Sequence, residues 1–286
     1  MNKTRALFES LLFVFIALLI QRMSYYSYSF YVFEKVKSGE IIVSIAGSTI
    51  QEQAIKYINE TAIFYIIIGW LIAIALVVFT IKVSKQPLLD QLGHRPRFVN
   101  IFLAIIIGIG TVFLTYAIVH LSAEFFNVSY DSDTIIYYDS IWITIVALGL
   151  IIPFIEEFFF RGLILNNLSN LNSFLLIILI QSLFFSISHF NLYQAIYLIP
   201  LGFVAGYSVL KTRSFWIAVI IHLVFNGINL YMTLFNQYEY QFGQLLILFV
   251  LGMVLIVFGI DKLQGKKTRR KDVRRLPGVK SDSTNL

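Results

Sequence analysis

The chain has 286 residues, 58% hydrophobic and 13% charged, with a net charge of +6 and no cysteine. Long apolar runs separated by short polar ones indicate an all-α, polytopic transmembrane helical bundle and argue against a string of water-soluble domains. Without cysteine there is no disulfide, thiolate metal site or cysteine nucleophile, so histidines, carboxylates, hydroxyls and amides must carry any chemistry.

At about 20 residues per crossing, hydropathy predicts about eight spanning helices. The first runs over residues 6–22 behind Lys3 and Arg5. It is followed by Tyr25, Tyr26, Tyr28, Phe30, Tyr31 and Phe33, aromatics suited to the headgroup level, and by no small-x-small cleavage site. It therefore reads as a retained helix and not as a signal peptide. Residues 34–61 read as the longest loop, and 62–83 as the second helix. A connection carrying Lys85, Arg95 and Arg97 leads to a third helix over 98–121. The next loop holds Glu124, Asp131, Asp133 and Asp139 with no Lys or Arg, and a fourth helix starts near Ser140. After an Asn-rich turn at 166–172 come a fifth helix (173–189), a sixth (195–210), the basic turn Lys211-Thr212-Arg213, a seventh (214–232) and an eighth (245–260).

Placing the N-terminus in the cytoplasm puts the basic N-terminus, the 84–97 connection, the Lys211/Arg213 turn and the C-terminal tail on one side, and the acidic loop on the other. Both termini are then cytoplasmic. The expected organisation is helices one to three with their loops (1–139), a core of helices four to seven (140–232), helix eight (233–260) and a basic tail (261–286). Nine Lys or Arg lie between Lys262 and Lys280. They suit anionic lipid headgroups, and with no aromatic to stack on a base they do not suggest nucleic acid.

The most informative stretch is Pro153-Phe154-Ile155-Glu156-Glu157-Phe158-Phe159-Phe160-Arg161-Gly162. An acidic group near the middle of a spanning helix costs roughly 2.5–3.5 kcal/mol, so such groups face protein or water and usually carry function. Pro153 lacks the donor for the Gly149 carbonyl, which loosens the backbone and predicts a wet, protein-lined pocket beside the glutamates. Glu157 and Arg161, four residues apart, share a face and can pair; Glu156 points about 100° away and has no such partner in its helix. A carboxylate paired with arginine stays ionised, whereas a desolvated neighbour can exchange a proton. An ion pair that only stabilises the helix end is the alternative.

His189 ends the fifth helix, and His222 shares a face of the seventh with Asn226, four residues on. At 1.5 Å per residue from the basic turns, Glu156 lies roughly 20 Å up its helix, His189 somewhat more than about 25 Å and His222 roughly 15 Å, a spread that helix tilt can absorb. Gly202 and Gly206 have the small-x-x-x-small spacing of close helix contacts and read as packing. His94 and His120 read as a loop residue and an interfacial one.

Glu156-Glu157-Phe158-Phe159-Phe160-Arg161-Gly162, then Phe185-x-x-x-His189, then Gly202-x-x-x-Gly206 leading through Ser214-Phe215-Trp216 to His222-x-x-x-Asn226 resembles the family of CAAX prenyl proteases and bacteriocin-processing enzymes, also called the abortive-infection family of intramembrane endopeptidases. The resemblance spans about residues 140–230. It implies that Glu156 activates the attacking water with His189 assisting, that His222 and Asn226 hold the developing oxyanion, and that Glu157 and Arg161 secure the first motif. Amide hydrolysis needs this division into a base and oxyanion donors. The implied partner is a membrane protein or peptide substrate, and the cysteine-free, Ile/Phe/Asn/Lys-rich composition suggests a bacterial cytoplasmic membrane.

Two questions stay open at this level. His189, His222 and Glu156 could form the ligand set of a hydrolytic zinc site with the other glutamate as base, although the helical HExxH spacing is absent; the favoured reading is a glutamate-activated water with no cofactor required. A non-catalytic scaffold of the same family that binds a membrane partner is an alternative, and a proton-relay transporter is disfavoured by the lack of internal twofold similarity.

Overall fold

A computed structural model of the chain describes residues 3–43, 49–83, 95–126, 141–171, 173–189, 191–235 and 240–264. The expectations placed on His94, on the aspartates of the acidic loop and on the tail beyond Gln264 lie outside these residues. Within them, eight helices follow in chain order: α1 (Lys3–Lys37), α2 (Ile50–Val83), α3 (Phe98–Phe126), α4 (Ile141–Leu168), α5 (Phe174–Ile187), α6 (Leu192–Thr212), α7 (Phe215–Phe235) and α8 (Phe242–Lys262). Among the described residues, seven are long and apolar enough to cross a membrane. The exception is α5, predicted as a full span, whose 14 residues reach only about 21 Å. The chain is an integral, multi-pass membrane protein.

The predicted loop at 34–61 is largely helical instead. α1 continues to Lys37 and α2 already begins at Ile50, so each helix is about 50 Å long against a hydrocarbon core of about 30 Å. Hydropathy ends a helix where the membrane ends, but here a second apolar seam takes over. Val32 and Val36 on α1 pack against Ala54 and Ile58 on α2, each pair four residues apart on one face. Tyr28 donates to Thr61 Oγ1 across the seam at 2.7 Å. Thr49 starts α2 as half of a capping box: the Glu52 N–H donates to its hydroxyl (3.2 Å), and its own N–H donates to the Glu52 carboxylate (2.7 Å).

α3 and α8 form the tightest helix pair. A Cβ on Gly252 would lie 2.6 Å from the Leu114 nitrogen, and one on Gly110 would lie 2.8 Å from the Leu255 Cβ. Backbones this close gain dispersion contacts that larger residues would forbid, the usual source of helix affinity in lipid. Gly252→Val therefore destabilises the bundle by about 1–3 kcal/mol, read as a lower unfolding midpoint in detergent; an unchanged midpoint would mean that α8 is free to shift.

Contacts at one end of the bundle collect the basic flanks of several helices. Asn167 at the end of α4 donates to the Ala6 carbonyl and to Ser10 Oγ at the start of α1 (3.0 and 2.9 Å). At the start of α3, Arg97 donates to Gln264 Oε1, and Asn100 exchanges two hydrogen bonds with the Gln264 backbone, all at 2.9 Å. Lys211, at the end of α6, donates to the Ile260 carbonyl in the last turn of α8, the pole of that helix which favours a cation.

Candidate active site

α4 is one helical span containing two π-helical segments, Ala147–Ile151 and Phe158–Ile164, on either side of the short α-helical stretch that carries the glutamates. The first is the local result of Pro153. In the wider turn the Ile152 N–H donates to the Ala147 carbonyl, and the next donor in that register would be residue 153, which as proline has none. The Leu148 carbonyl is thereby released. Asn226 Nδ2 on α7 donates to it at 3.0 Å. Proline was expected to free Gly149; the π register shifts the released carbonyl by one residue and gives it a side-chain partner from another helix.

The glutamates then diverge. Glu157 is wholly buried, and its Oε1 accepts from Arg161 Nη1 and from His222 Nδ1, both at 2.7 Å. Arg161 is also wholly buried: its Nη2 donates to the Gly202 carbonyl at 3.2 Å, and its guanidinium lies 4.4 Å from the centre of the Phe185 ring. Gly202 thus does more than the packing expected of it. A Cβ there would stand 3.0 Å from Ser182 Cα, so the absent side chain brings α6 against α5 while its carbonyl meets the arginine.

Glu156 faces a different space. Its Oε1 lies 4.0 Å from His189 Nε2 and its Oε2 lies 3.8 Å from His222 Nε2, separations beyond a direct hydrogen bond that leave the three groups around one spot. Side-chain exposure grades across the site: 2% at His222, 10% at Glu156 and 20% at His189. Each imidazole is held by its other nitrogen. His189 Nδ1 is 3.0 Å from the Phe185 carbonyl, which can only accept, so that nitrogen carries the proton. His222 Nδ1 donates likewise to Glu157, which is already bound to Arg161. Both Nε2 atoms are left facing Glu156.

Residues 138–228 match a family model described as type II CAAX prenyl endopeptidase, Rce1-like. This stretch is thus similar to that family. Comparison with curated proteins and with solved structures gave no match.

The matched stretch contains all six residues singled out from the sequence, and the fold brings Glu156, Glu157, Arg161, His189 and His222 into one cluster with Asn226 one turn above His222. The Leu148 and Gly202 carbonyls and the Phe185 ring are parts of the site that pattern reading did not assign. Main-chain acceptors carry no side-chain signature; only Pro153 hinted at the first of them. Among the described residues no group of three or more His, Asp or Glu side chains is arranged to hold a metal ion. The His120 ring lies tilted by 33° against Tyr116, with ring centres 4.1 Å apart.

Proposed function

We propose that the protein is an intramembrane endopeptidase that hydrolyses a peptide bond in a membrane-associated protein or peptide with a water activated by Glu156. The observation that carries this reading is the unequal treatment of two adjacent carboxylates: Glu157 is bound to an arginine and a histidine, while Glu156 is directed at two imidazole Nε2 atoms across a gap. A water in that gap donates to the Glu156 carboxylate. As its oxygen bonds to the substrate carbonyl carbon, its proton passes to Glu156, assisted by His189, and negative charge grows on the carbonyl oxygen. His222, protonated at both nitrogens with Glu157 as counter-charge, donates to that oxygen through Nε2, and the second N–H of the Asn226 amide is the other donor. The C–N bond then breaks, the proton held on Glu156 goes to the leaving nitrogen, and an amine and a carboxylic acid are released.

In this reading Glu157 and Arg161 position His222, and Phe185 orients His189 through its carbonyl. No bound cofactor is required. Incubation with a strong zinc chelator is expected to leave the cleavage rate of the purified protein unchanged; loss of activity that returns on adding zinc would instead assign His189, His222 and Glu156 to a metal. Comparing the membrane peptides of cells that carry the intact protein with those that carry Glu156→Gln identifies the substrate, as the intact form of a peptide accumulating in the variant.

A further inference from the structure

The helix that carries the glutamates is backed by a residue from outside the matched stretch. Trp70 of α2, 5% exposed, lies against Phe159 and Phe160 of α4 with ring centres 5.2 and 6.0 Å away. From there the rings continue into the site. Phe160 meets Phe159 at 5.1 Å and Phe185 of α5 at 5.3 Å, and Phe185 meets His189 at 5.1 Å and His222 at 5.6 Å. These four contacts are edge-to-face, with planes 72–89° apart, and the three phenyl rings are wholly buried. The ring quadrupoles favour such perpendicular pairs, and each ring fills the space into which its neighbour would turn. The setting of both imidazole planes is thereby keyed to a tryptophan two phenyl rings away.

The backbone gives Trp70 a second hold on the site. Phe159, Phe160 and Arg161 belong to the π-helical segment Phe158–Ile164. A π turn is a rare departure from the α-helical register, and a side chain wedged against two of its residues opposes a return to that register. Arg161, in the same segment, leads through Glu157 to His222. The other π segment is backed in the same way, because Ile63 of α2 packs on Ala147 and Ile152 at its two ends. α2 thus braces α4 on both sides of the glutamates.

We propose that Trp70 is a positioning residue: it holds the second π segment and the Phe160–Phe185 pair so that both imidazole Nε2 atoms face Glu156. The α1–α2 hairpin then belongs to the working site, although the matched stretch begins at residue 138. The effect on rate rests on the protease reading; the setting of the imidazoles does not.

The test uses the full chain. With carbon-13 in the histidine rings of a Glu156→Gln protein, Trp70→Leu is expected to shift the His189 and His222 signals and to leave that of His120, which lies against Tyr116, in place. Trp70→Phe keeps a ring, shifts the same signals less, and decides the matter should Trp70→Leu fail to fold. With Glu156 intact, the substrate is the membrane peptide that accumulates in Glu156→Gln cells. Trp70→Leu is expected to lower its kcat by about 10- to 100-fold, the effect of a misplacement of about 1 Å, with KM unchanged, and Trp70→Phe to recover most of the rate. Ile58→Ala removes packing from the Val32/Val36 seam of the same hairpin and is expected to change neither the signals nor kcat. Site imidazole signals that stay in place in the Trp70 variants overturn the proposal, as does full kcat in Trp70→Leu or an equal loss in Ile58→Ala. Shifted signals in a protein whose unsubstituted form cleaves nothing refute the protease reading alone.

Discussion

Glu156→Gln lowers peptide hydrolysis by about 10²- to 10⁴-fold, the range general-base catalysis contributes, and leaves the unfolding midpoint where it was. The amide nearly matches the carboxylate in shape but cannot take the proton of the attacking water. Stability is largely spared because Glu156 lies beyond hydrogen-bonding distance of either imidazole and keeps some exposure, so its exchange breaks no direct hydrogen bond. The measurement is cleavage of a membrane peptide followed by mass spectrometry, with thermal unfolding in the same detergent. Full cleavage by the variant removes Glu156 from the mechanism. Absence of cleavage by the intact protein as well, with binding of a membrane partner retained in both, returns the chain to the scaffold reading.

Arg161→Met has the opposite signature, a loss of stability of about 3–5 kcal/mol. The guanidinium is wholly buried between Glu157, the Gly202 carbonyl and the Phe185 ring, and its removal takes from the Glu157 carboxylate the arginine that shares it with His222, where water cannot reach it. Most of the cost is that under-compensated buried charge and not the energy of the pair, because forming the pair already required both ions to be desolvated. The double variant Glu157→Gln/Arg161→Met is therefore expected to recover a large part of the loss while staying inactive, since His222 no longer has a carboxylate to hold it. Equilibrium unfolding of the three proteins reads the coupling directly. If the double variant is no more stable than Arg161→Met, the stranded charge is not the cause, and lost packing against Phe185 is.

A third comparison links the two. His222 touches Glu157 through Nδ1 and faces Glu156 through Nε2, so the buried ion pair and Glu156 are joined by one imidazole ring. Arg161 is thus linked to Glu156 through two intermediaries, Glu157 and His222. The wholly buried pair makes the register of α4 against α5, α6 and α7 costly to change, which holds His222 opposite Glu156.

Much of this was legible in the sequence, for reasons that can be stated residue by residue. Apolar runs of bilayer length specify spanning helices because lipid offers the backbone no other partner, and Glu157–Arg161 is written in the helical repeat as an i, i+4 pair. The assignment of Glu156 as the unpaired member follows from the same geometry. Tertiary structure alone decided the rest. Extension of α1 and α2 beyond the membrane depends on Val32, Val36, Ala54 and Ile58 meeting one another, and the shared seam has no signal in either segment taken alone. The acceptors for Asn226 and Arg161 are main-chain carbonyls at Leu148 and Gly202, groups every residue possesses and no spacing distinguishes. That His189 and His222 both turn Nε2 toward Glu156 is set by which carbonyl and which carboxylate capture their Nδ1 atoms. Local periodicity determines what a helix presents on each face; which neighbour receives that face is settled only when all the helices are packed together.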